Sequence, residues 1–180
     1  IGQVKAGKSS FLNTMIFGGK DVLPRASTPK TATLTKIEYA EENSIEIFYY
    51  SKEEWQQIVE RSQVQSDFQE FQVAKEIIKL AEAQQVDVHS YLQKGTETVS
   101  FATEAELMDQ LNEFVGENGR LTAIVKYVTL KVNNPQLKEI SIVDTPGLND
   151  PIASRTDKTK QFMEVCDVVF FLSRASNFLD

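Results

Sequence analysis

The sequence has little of what disulfides, metal clusters and proton-transfer sites are usually built from. It contains 1 cysteine and 1 histidine. One thiol cannot form an internal disulfide, which favours a reducing compartment. Cys166 lies beside an apolar run, so we expect a buried structural thiol. His89 has no partner in the sequence for a catalytic triad or a zinc site, so we predict no chemistry for it.

Long hydrophobic runs and an excess of positive charge are missing as well. No stretch of about 18 apolar residues is present, and no charged-then-apolar leader precedes a cleavage site, so we predict no transmembrane helix. The formal net charge is −7, which would repel a phosphate polymer on average. We therefore predict no nucleic-acid partner. With 41% hydrophobic residues, the chain can bury the core of one domain.

Glycine and proline are absent from residues 51–94, which favours helices there. Ser51 and Glu54 have the spacing of a capping box, and Tyr50 and Trp55 flank it as a hydrophobic staple would. The apolar residues that follow have a helical period and predict one broken or two consecutive helices, with a shorter helix starting at Thr103. We therefore predict a mainly helical insertion over residues 51–120.

The remainder alternates between strand and helix patterns. Residues 33–39 and 45–50 predict two strands paired as a hairpin. Residues 124–132 and 138–144 also predict strands, residues 156–165 a weaker helix, and residues 167–173 a strand buried on both faces. The fold class predicted from this order is α/β, with a mixed, mostly parallel sheet and helices on both faces.

The strongest motif is the P-loop pattern GQVKAGKS at residues 2–9. Glycines let backbone N–H groups surround phosphate oxygens, and the positive end of the following helix faces the anion. Lys8 would reach the β- and γ-phosphates, and the Ser9 hydroxyl would bind Mg²⁺. The predicted phosphate-binding residues are Gly2, Gln3, Val4, Lys5, Ala6, Gly7, Lys8, Ser9 and Ser10.

A second motif, DTPG, follows the strand predicted to end at Asp144. A carboxylate at the end of a strand next to the P-loop can hold Mg²⁺, typically through water, and the Gly147 N–H can contact a γ-phosphate. Alone, the tetrapeptide could also be a strand-ending turn. Beside the P-loop, we interpret it as functional.

A third element, a threonine in the loop before the first predicted strand, would complete the set of ligands around Mg²⁺ when a γ-phosphate is present. We favour Thr31 in the stretch PKTA, with Thr28 as the second choice. Threonines that simply enter a strand are the alternative interpretation.

These motifs together resemble the G domain of dynamin-like GTPases, especially the bacterial ones. The resemblance lies in VKAGKSSFLN, PKTA, VNNPQLKEISIVDTPGLND and CDVVFFLSRASNFLD, and residues 51–120 do not contribute to it. It implies a three-layer P-loop NTPase G domain of which residues 1–180 are the N-terminal part, truncated at both ends. It also implies Mg²⁺-dependent binding and hydrolysis of GTP to GDP, stimulated by a G-domain homodimer or a paired homologue. The whole protein would remodel membranes, binding lipids through regions outside these residues from a cytoplasmic, peripheral position.

Two residues depart from related patterns. Eukaryotic dynamin-like proteins place a cation-holding serine where Lys5 stands, and guanylate-binding proteins place an arginine finger there. We hypothesise that the Lys5 ammonium supplies this charge, so that the predicted catalytic residues are Lys5, Lys8 and Thr31; a solvated lysine is the alternative. Leu148 stands where Ras-like GTPases carry a water-orienting glutamine, so the attacking water would be positioned by backbone groups, by a bound water near Thr31, or by a dimer partner.

Two other functions remain open at the level of sequence. One is a GTP-binding scaffold that hydrolyses negligibly, and the other is a P-loop ATPase. The base-reading motif would lie beyond residue 180, so guanine specificity rests on the resemblance. We expect the 180-residue piece alone to be inactive.

Overall fold

The computed structural model describes residues 7–24, 33–145 and 153–172, with the side chains of residues 153–158 left out. Within these ranges, five strands form one sheet in the order β3-β2-β4-β1-β5. Among the described residues, no helix has the length and apolar character needed to cross a bilayer. The strands are β1 (Leu34–Tyr39), β2 (Ser44–Tyr49), β3 (Thr96–Ser100), β4 (Val125–Val132) and β5 (Ser141–Asp144). The helices are α1 (Lys8–Phe17), α2 (Lys52–Ser62), α3 (Gln69–Ala83), α4 (Val88–Lys94), α5 (Glu104–Val115) and α6 (Ala153–Glu164).

One face of the sheet builds the main core because the strands alternate buried and half-buried residues. In β2, the side chains of Ile45, Ile47 and Tyr49 are buried, whereas those of Glu46 and Phe48 are half-buried. Period-two alternation puts each set on one face. The main core adds residues of α1 and α5 to this face. A smaller cluster joins α2 and α3, as the helical period of residues 51–94 predicted.

The predicted hairpin of β1 and β2 is wrong, because β4 lies between these strands. Strand β1 runs parallel to β4, and β2 runs antiparallel to it. The short connection between β1 and β2 passes over the end of β4 and is held there: the Asn133 N–H donates to the Asn43 side chain at 2.7 Å, and the Asn133 amide donates to the Glu41 carbonyl at 3.0 Å. Because β4 lies between β1 and β2, its backbone N–H and C=O groups find hydrogen-bond partners on both sides.

The α/β class with a mixed sheet is confirmed, but the expected excess of parallel pairs is not found in the described residues. There β1–β4 is parallel, and β1–β5, β2–β3 and β2–β4 are antiparallel. The short connections from β1 to β2 and from β4 to β5 reverse the chain, which makes the β2–β4 and β1–β5 pairs antiparallel. Strand β3, which the sequence pattern did not predict, adds the third antiparallel pair. Strand β3 lies within the predicted insertion, which otherwise contains α2 to α5.

The segment before Ser173 also differs from its prediction. Val168, Phe170 and Phe171 are 64–67% exposed and form no strand. Cys166 is exposed as well, and its thiol donates to the Met163 carbonyl at 3.3 Å. Among the described residues of this segment, Leu172 makes one isolated bridge, which does not extend into a strand. The predictions of a buried strand and a buried thiol are therefore not met in this structure.

The predicted start of α2 is confirmed as a capping box. The Ser51 side chain accepts the Glu54 N–H at 3.2 Å, and the Glu54 carboxylate accepts the Ser51 N–H at 2.9 Å. The Tyr50 and Trp55 rings lie 6.1 Å apart, as expected of the staple. Glu54 also pairs with Lys126 of β4, so the cap connects the helix to the sheet.

Replacing Ser51 with alanine is expected to lower the free energy of unfolding by about 1 kcal/mol, because one helical N–H loses its acceptor. Urea denaturation measures the change. Ser90→Ala is the matched control, since Ser90 lies exposed inside α4 and caps no helix; we expect it to change stability by less than about 0.5 kcal/mol. Equal effects of the two substitutions would contradict a specific role for the cap.

Candidate functional site

Helix α1 begins at Lys8, the second lysine of the P-loop motif, because Gly7 turns the chain into the helix. Gly7 has φ +87° and ψ 14°, a left-handed conformation that glycine adopts without steric cost. Its carbonyl accepts the Phe11 N–H at 2.9 Å, which is the first bond of the helix. Helix geometry leaves the N–H groups of the first turn without partners inside the helix. This end therefore favours an anion.

Two residues that lie 135 positions apart in the sequence meet at this helix end. The Ser9 hydroxyl in the first turn of α1 donates to the Asp144 carboxylate at 3.0 Å. Asp144 is the last residue of β5 and pairs with Thr35 of β1, which fixes its position at the edge of the sheet. The two sequence motifs predict that this serine and this aspartate share one ion. The structure places them within direct contact.

Burial shifts the pKa of both Lys8 and Asp144 at this contact. Desolvation lowers the pKa of the Lys8 ammonium, and the nearby Asp144 charge partly opposes that shift. Desolvation also raises the pKa of the Asp144 carboxyl, opposed by the hydrogen bond from Ser9 and the charge of Lys8. In both cases the low-dielectric surroundings disfavour the charged form. The same surroundings strengthen the attraction of these groups for a charged ligand.

The residues at this point suit Mg²⁺ coordinated partly by phosphate and water. Mg²⁺ prefers oxygen ligands, and proteins usually supply only one or two of them when a nucleotide supplies others. Ser9 and Asp144 provide a hydroxyl and a carboxylate 3.0 Å apart. Next to them, the buried Thr145 hydroxyl has no hydrogen-bond partner among the described residues. Among the described residues, no group of three or more His, Cys, Asp or Glu side chains could hold a metal ion.

Some of the predicted site residues lie within the described part of the chain and others lie outside it. Gly7, Lys8, Ser9, Ser10 and Asp144 are described, and the first four open α1 together. Ser10 contributes its carbonyl to a hydrogen bond from the Thr14 hydroxyl at 3.0 Å. The roles predicted for the remaining residues stay predictions. The residues that lie outside the described part are Gly2, Gln3, Val4, Lys5, Ala6, Thr28, Thr31, Gly147 and Leu148.

Comparison with known proteins decides the family. The pattern of the family described as "Dynamin family" matches residues 1–180. The chain belongs to the dynamin family. Members of this family are GTPases, in agreement with the resemblance found in the sequence.

Individual relatives of this dynamin-family chain are bacterial. It is 31% identical over 179 residues to "Dynamin-like protein 1" of Campylobacter jejuni, covering 99% of the chain and 23% of that protein. It is 30% identical over 176 residues to "Bacterial dynamin-like protein" of Nostoc punctiforme, covering 98% of the chain and 20% of that protein. The chain thus spans about a fifth of the length of these relatives.

Solved structures give the same result for the fold. One chain aligns with a TM-score of 0.68 at 30% identity, over 94% of this chain and 22% of its own length. That structure is described as "An oligomerised bacterial dynamin pair provides a mechanism for the long range sensing and tethering of membranes". A second solved chain with the same description aligns with a TM-score of 0.67 at 28% identity, covering 99% of this chain and 22% of its own length.

A buried polar residue of α1, in the helix that opens the site, was not predicted from the sequence. Asn13 in α1 is 1% exposed, and its amide donates to the Leu23 carbonyl at 3.1 Å while accepting the Leu23 N–H at 2.8 Å. The available signal was an amide inside the apolar helix pattern FLNTMIF. A polar side chain at a buried helix position needs partners, and here it has two.

A separate cavity of about 540 Å³ lies at the C-terminal end of β2. Its walls include the stacked rings of Phe48 and Tyr127, whose centroids are 4.2 Å apart, and the ion pair of Glu54 with Lys126. The charges of that pair already neutralise each other. None of the described P-loop residues lines this cavity, so we place the candidate site at the start of α1.

Proposed function

We propose that this domain binds GTP with Mg²⁺ and hydrolyses the bond between the β- and γ-phosphates. The observation that carries the proposal is the contact of Ser9 with Asp144 at the N-terminus of α1. An anion-binding helix end, a lysine and two oxygen ligands converge at one point. This is the combination that phosphoryl transfer requires, since its catalysis consists mainly of positioning and charge stabilisation.

In this proposal each residue has a distinct part. Lys8 and the backbone N–H groups of residues 2–9 stabilise negative charge on the β- and γ-phosphates. Ser9 binds Mg²⁺ directly, Asp144 orders it directly or through water, and Thr31 joins when a γ-phosphate is present. The ion, when bound, would neutralise charge that develops on the phosphate oxygens. The Gly147 N–H would detect the γ-phosphate.

Water activation needs a source other than residue 148, since the leucine there cannot orient water. Backbone groups near Thr31, or residues of a second G domain, would supply this function. We propose that hydrolysis is stimulated by a G-domain homodimer or by a paired homologue. The relatives are consistent with this, because the aligned solved structure is described as an oligomerised pair that tethers membranes.

We further propose that residues 1–180 are the N-terminal part of a G domain in a longer, cytoplasmic protein, with residues 51–120 as an insertion. The short span relative to the family members supports this. Membrane remodelling and peripheral lipid binding would belong to the rest of the protein.

Nucleotide titration of the full-length protein tests the function. We expect tight binding of GTP and GDP, competition by ATP only at large excess, and phosphate release that stops when EDTA removes Mg²⁺. Tight GTP binding with no phosphate release, with and without liposomes, would instead identify a scaffold. Equal competition by ATP would identify an ATPase.

The lysine at position 5 allows a test of the cation hypothesis. If its ammonium replaces a bound monovalent cation, turnover should agree within about twofold in potassium, sodium and choline buffers, because no site for the ion is then needed. In Lys5→Ser, potassium should activate turnover relative to choline. Strong potassium activation of the unsubstituted protein would contradict the hypothesis.

A further inference from the structure

Three residues form a row across one face of the sheet near the C-terminal end of β2. Phe48 of β2 pairs with Tyr127 of β4 on one side and with Thr96 of β3 on the other. Residues that pair directly on neighbouring strands point to the same face of a sheet. The rings of Phe48 and Tyr127 are stacked, with centroids 4.2 Å apart and planes 13° from parallel. The row therefore consists of two stacked rings and one small side chain on the edge strand β3.

The space above Thr96 is where this stack would continue. Neighbouring strands lie about 4.8 Å apart, which is close to the separation of stacked rings. A planar group above Thr96 would thus lie against the face of Phe48 that is turned away from Tyr127. Thr96 is exposed, and together with both rings it lines the cavity of about 540 Å³. A cavity of this volume is within the range of small-molecule sites.

The wall beyond Thr96 is formed by the end of α4. Leu92 contributes an apolar side chain to this wall and Gln93 an amide, while Gly95 connects α4 to β3. A Cβ added at Gly95 would meet no atom within 4 Å, so the chain leaves room at this point. Aromatic and apolar surfaces with a few polar groups are the usual lining of sites for small organic molecules.

The charges around this cavity cancel, in contrast to the start of α1. Of the charged side chains that line it, Lys52 and Lys126 are positive, and Glu53 and Glu54 are negative. Lys126 pairs with Glu54, and Lys52 is adjacent to Glu53 in α2. A phosphate-bearing ligand would find no net opposite charge here to offset the loss of its hydration. A neutral ring has no such cost, so the cavity favours an uncharged ligand.

We propose that this cavity binds an uncharged, planar heteroaromatic molecule, which stacks on Phe48 above Thr96. Stacking on the phenylalanine ring supplies most of the affinity. The Gln93 amide and the Thr96 hydroxyl contact polar atoms at the edge of the ligand. This binding site goes beyond the proposed GTPase function, because none of the described P-loop residues lines the cavity.

Calorimetric titration of the full-length protein with caffeine, an uncharged methylated purine, tests the site. We expect a Kd of about 1 mM or lower, as is reasonable for a ligand of this size. Cyclohexanol, a saturated ring that cannot stack, should give no measurable binding. Saturating GDP with Mg²⁺ should leave the Kd of caffeine unchanged, since the nucleotide is expected at the start of α1.

Substitutions in the row identify the cavity as the place of binding. Thr96→Tyr fills the position above Thr96 with a ring of the protein itself and is expected to weaken caffeine binding about tenfold or more. Phe48→Leu removes the stacking surface and should weaken binding about fivefold or more, which provides a second variant where the tyrosine form does not fold. Thr98→Tyr is the matched control, because Thr98 is the next exposed residue of β3 and does not line the cavity. It should change the Kd less than about twofold.

Three results would overturn the proposal. The first is no detectable caffeine binding at ten times the expected Kd. The second is a Kd that is unchanged in both Thr96→Tyr and Phe48→Leu, or that Thr98→Tyr raises equally. The third is displacement of caffeine by GDP, which would place it at the start of α1. Failure of the unsubstituted protein to bind GTP would contradict only the proposed GTPase function, so the two failures are distinguishable.

Discussion

Lys8→Met in the full-length protein is expected to lower GTP hydrolysis by about 10²–10³-fold. Methionine has a similar length and fills a similar volume, so the substitution removes the charge with little change in packing. Lys8 opens α1 at the end that the helix dipole makes favourable for an anion, and desolvation lowers its pKa. A positive charge in such surroundings interacts more strongly with phosphate oxygens than it would in water.

Phosphate release under saturating GTP measures this effect, and GTP affinity should fall with it. Lys20→Met is the matched control. Lys20 follows the same helix, but its side chain is 63% exposed and forms a surface ion pair with Glu104 at 2.6 Å. Surface pairs contribute little, so we expect less than a twofold change in rate. If Lys8→Met kept a third of the activity, the lysine could not be the main contact of the transferred phosphate.

Asp144→Asn is expected to reduce hydrolysis by about 10²–10³-fold as well, through weaker binding of Mg²⁺. Asparagine keeps an oxygen that can accept the Ser9 hydroxyl, but it removes the negative charge that attracts the ion. The titration of activity with Mg²⁺ should therefore shift to much higher concentrations. Asp109→Asn, at an exposed position in α5, is the control and should leave that titration unchanged.

The same substitution should make the metal-free protein more stable. Burial raises the pKa of Asp144 in the folded state, so the folded state binds its proton more tightly than the unfolded state does. Stability then decreases as the pH rises through the window from the usual aspartate pKa, about 3.9, to the raised value. At neutral pH the buried Asp144 carboxyl therefore lowers stability, and a neutral asparagine avoids this cost.

We therefore expect a higher melting temperature for Asp144→Asn than for the unsubstituted protein at pH 7 in EDTA. The difference should disappear below the usual aspartate pKa, where the carboxyl is protonated in both states. Addition of Mg²⁺ and nucleotide should reverse the order, because only the unsubstituted protein gains the binding energy. A lower melting temperature of the variant at pH 7 would mean that other contacts of the carboxylate outweigh its burial.

Features encoded by neighbouring residues were predictable. The caps of α2 and α5 follow from a serine or threonine three residues before a glutamate, and both are formed. The end of α1 follows from Gly18 and Gly19. The meeting of Ser9 with Asp144 was also expected, because both motifs were predicted to bind the same ion. In these cases, interactions between neighbouring residues, or one shared ligand, were enough to predict the feature.

The order of the strands was not predictable in the same way. Strand β2 is compatible with β1, β3 or β4, since each offers alternating polar and β-branched residues. Which strand β2 pairs with depends on contacts between residues 90 positions apart, such as Asn133 with Asn43. No local sequence pattern indicates such contacts. Asn13 was missed for a similar reason, because its partner at Leu23 is reached only after the chain has turned back.

The position of β4 between β1 and β2 also has consequences for how the protein is made. At roughly 5–20 residues per second, the ribosome completes β2 several seconds before β4. During that interval the helices after β2 can form from local contacts, whereas β1 and β2 still lack the strand that separates them. Closing such distant pairs is slow compared with helix formation. The strand at the centre of the sheet is synthesised after β1 and β2, which both pair with it, so these two strands must wait for their common partner.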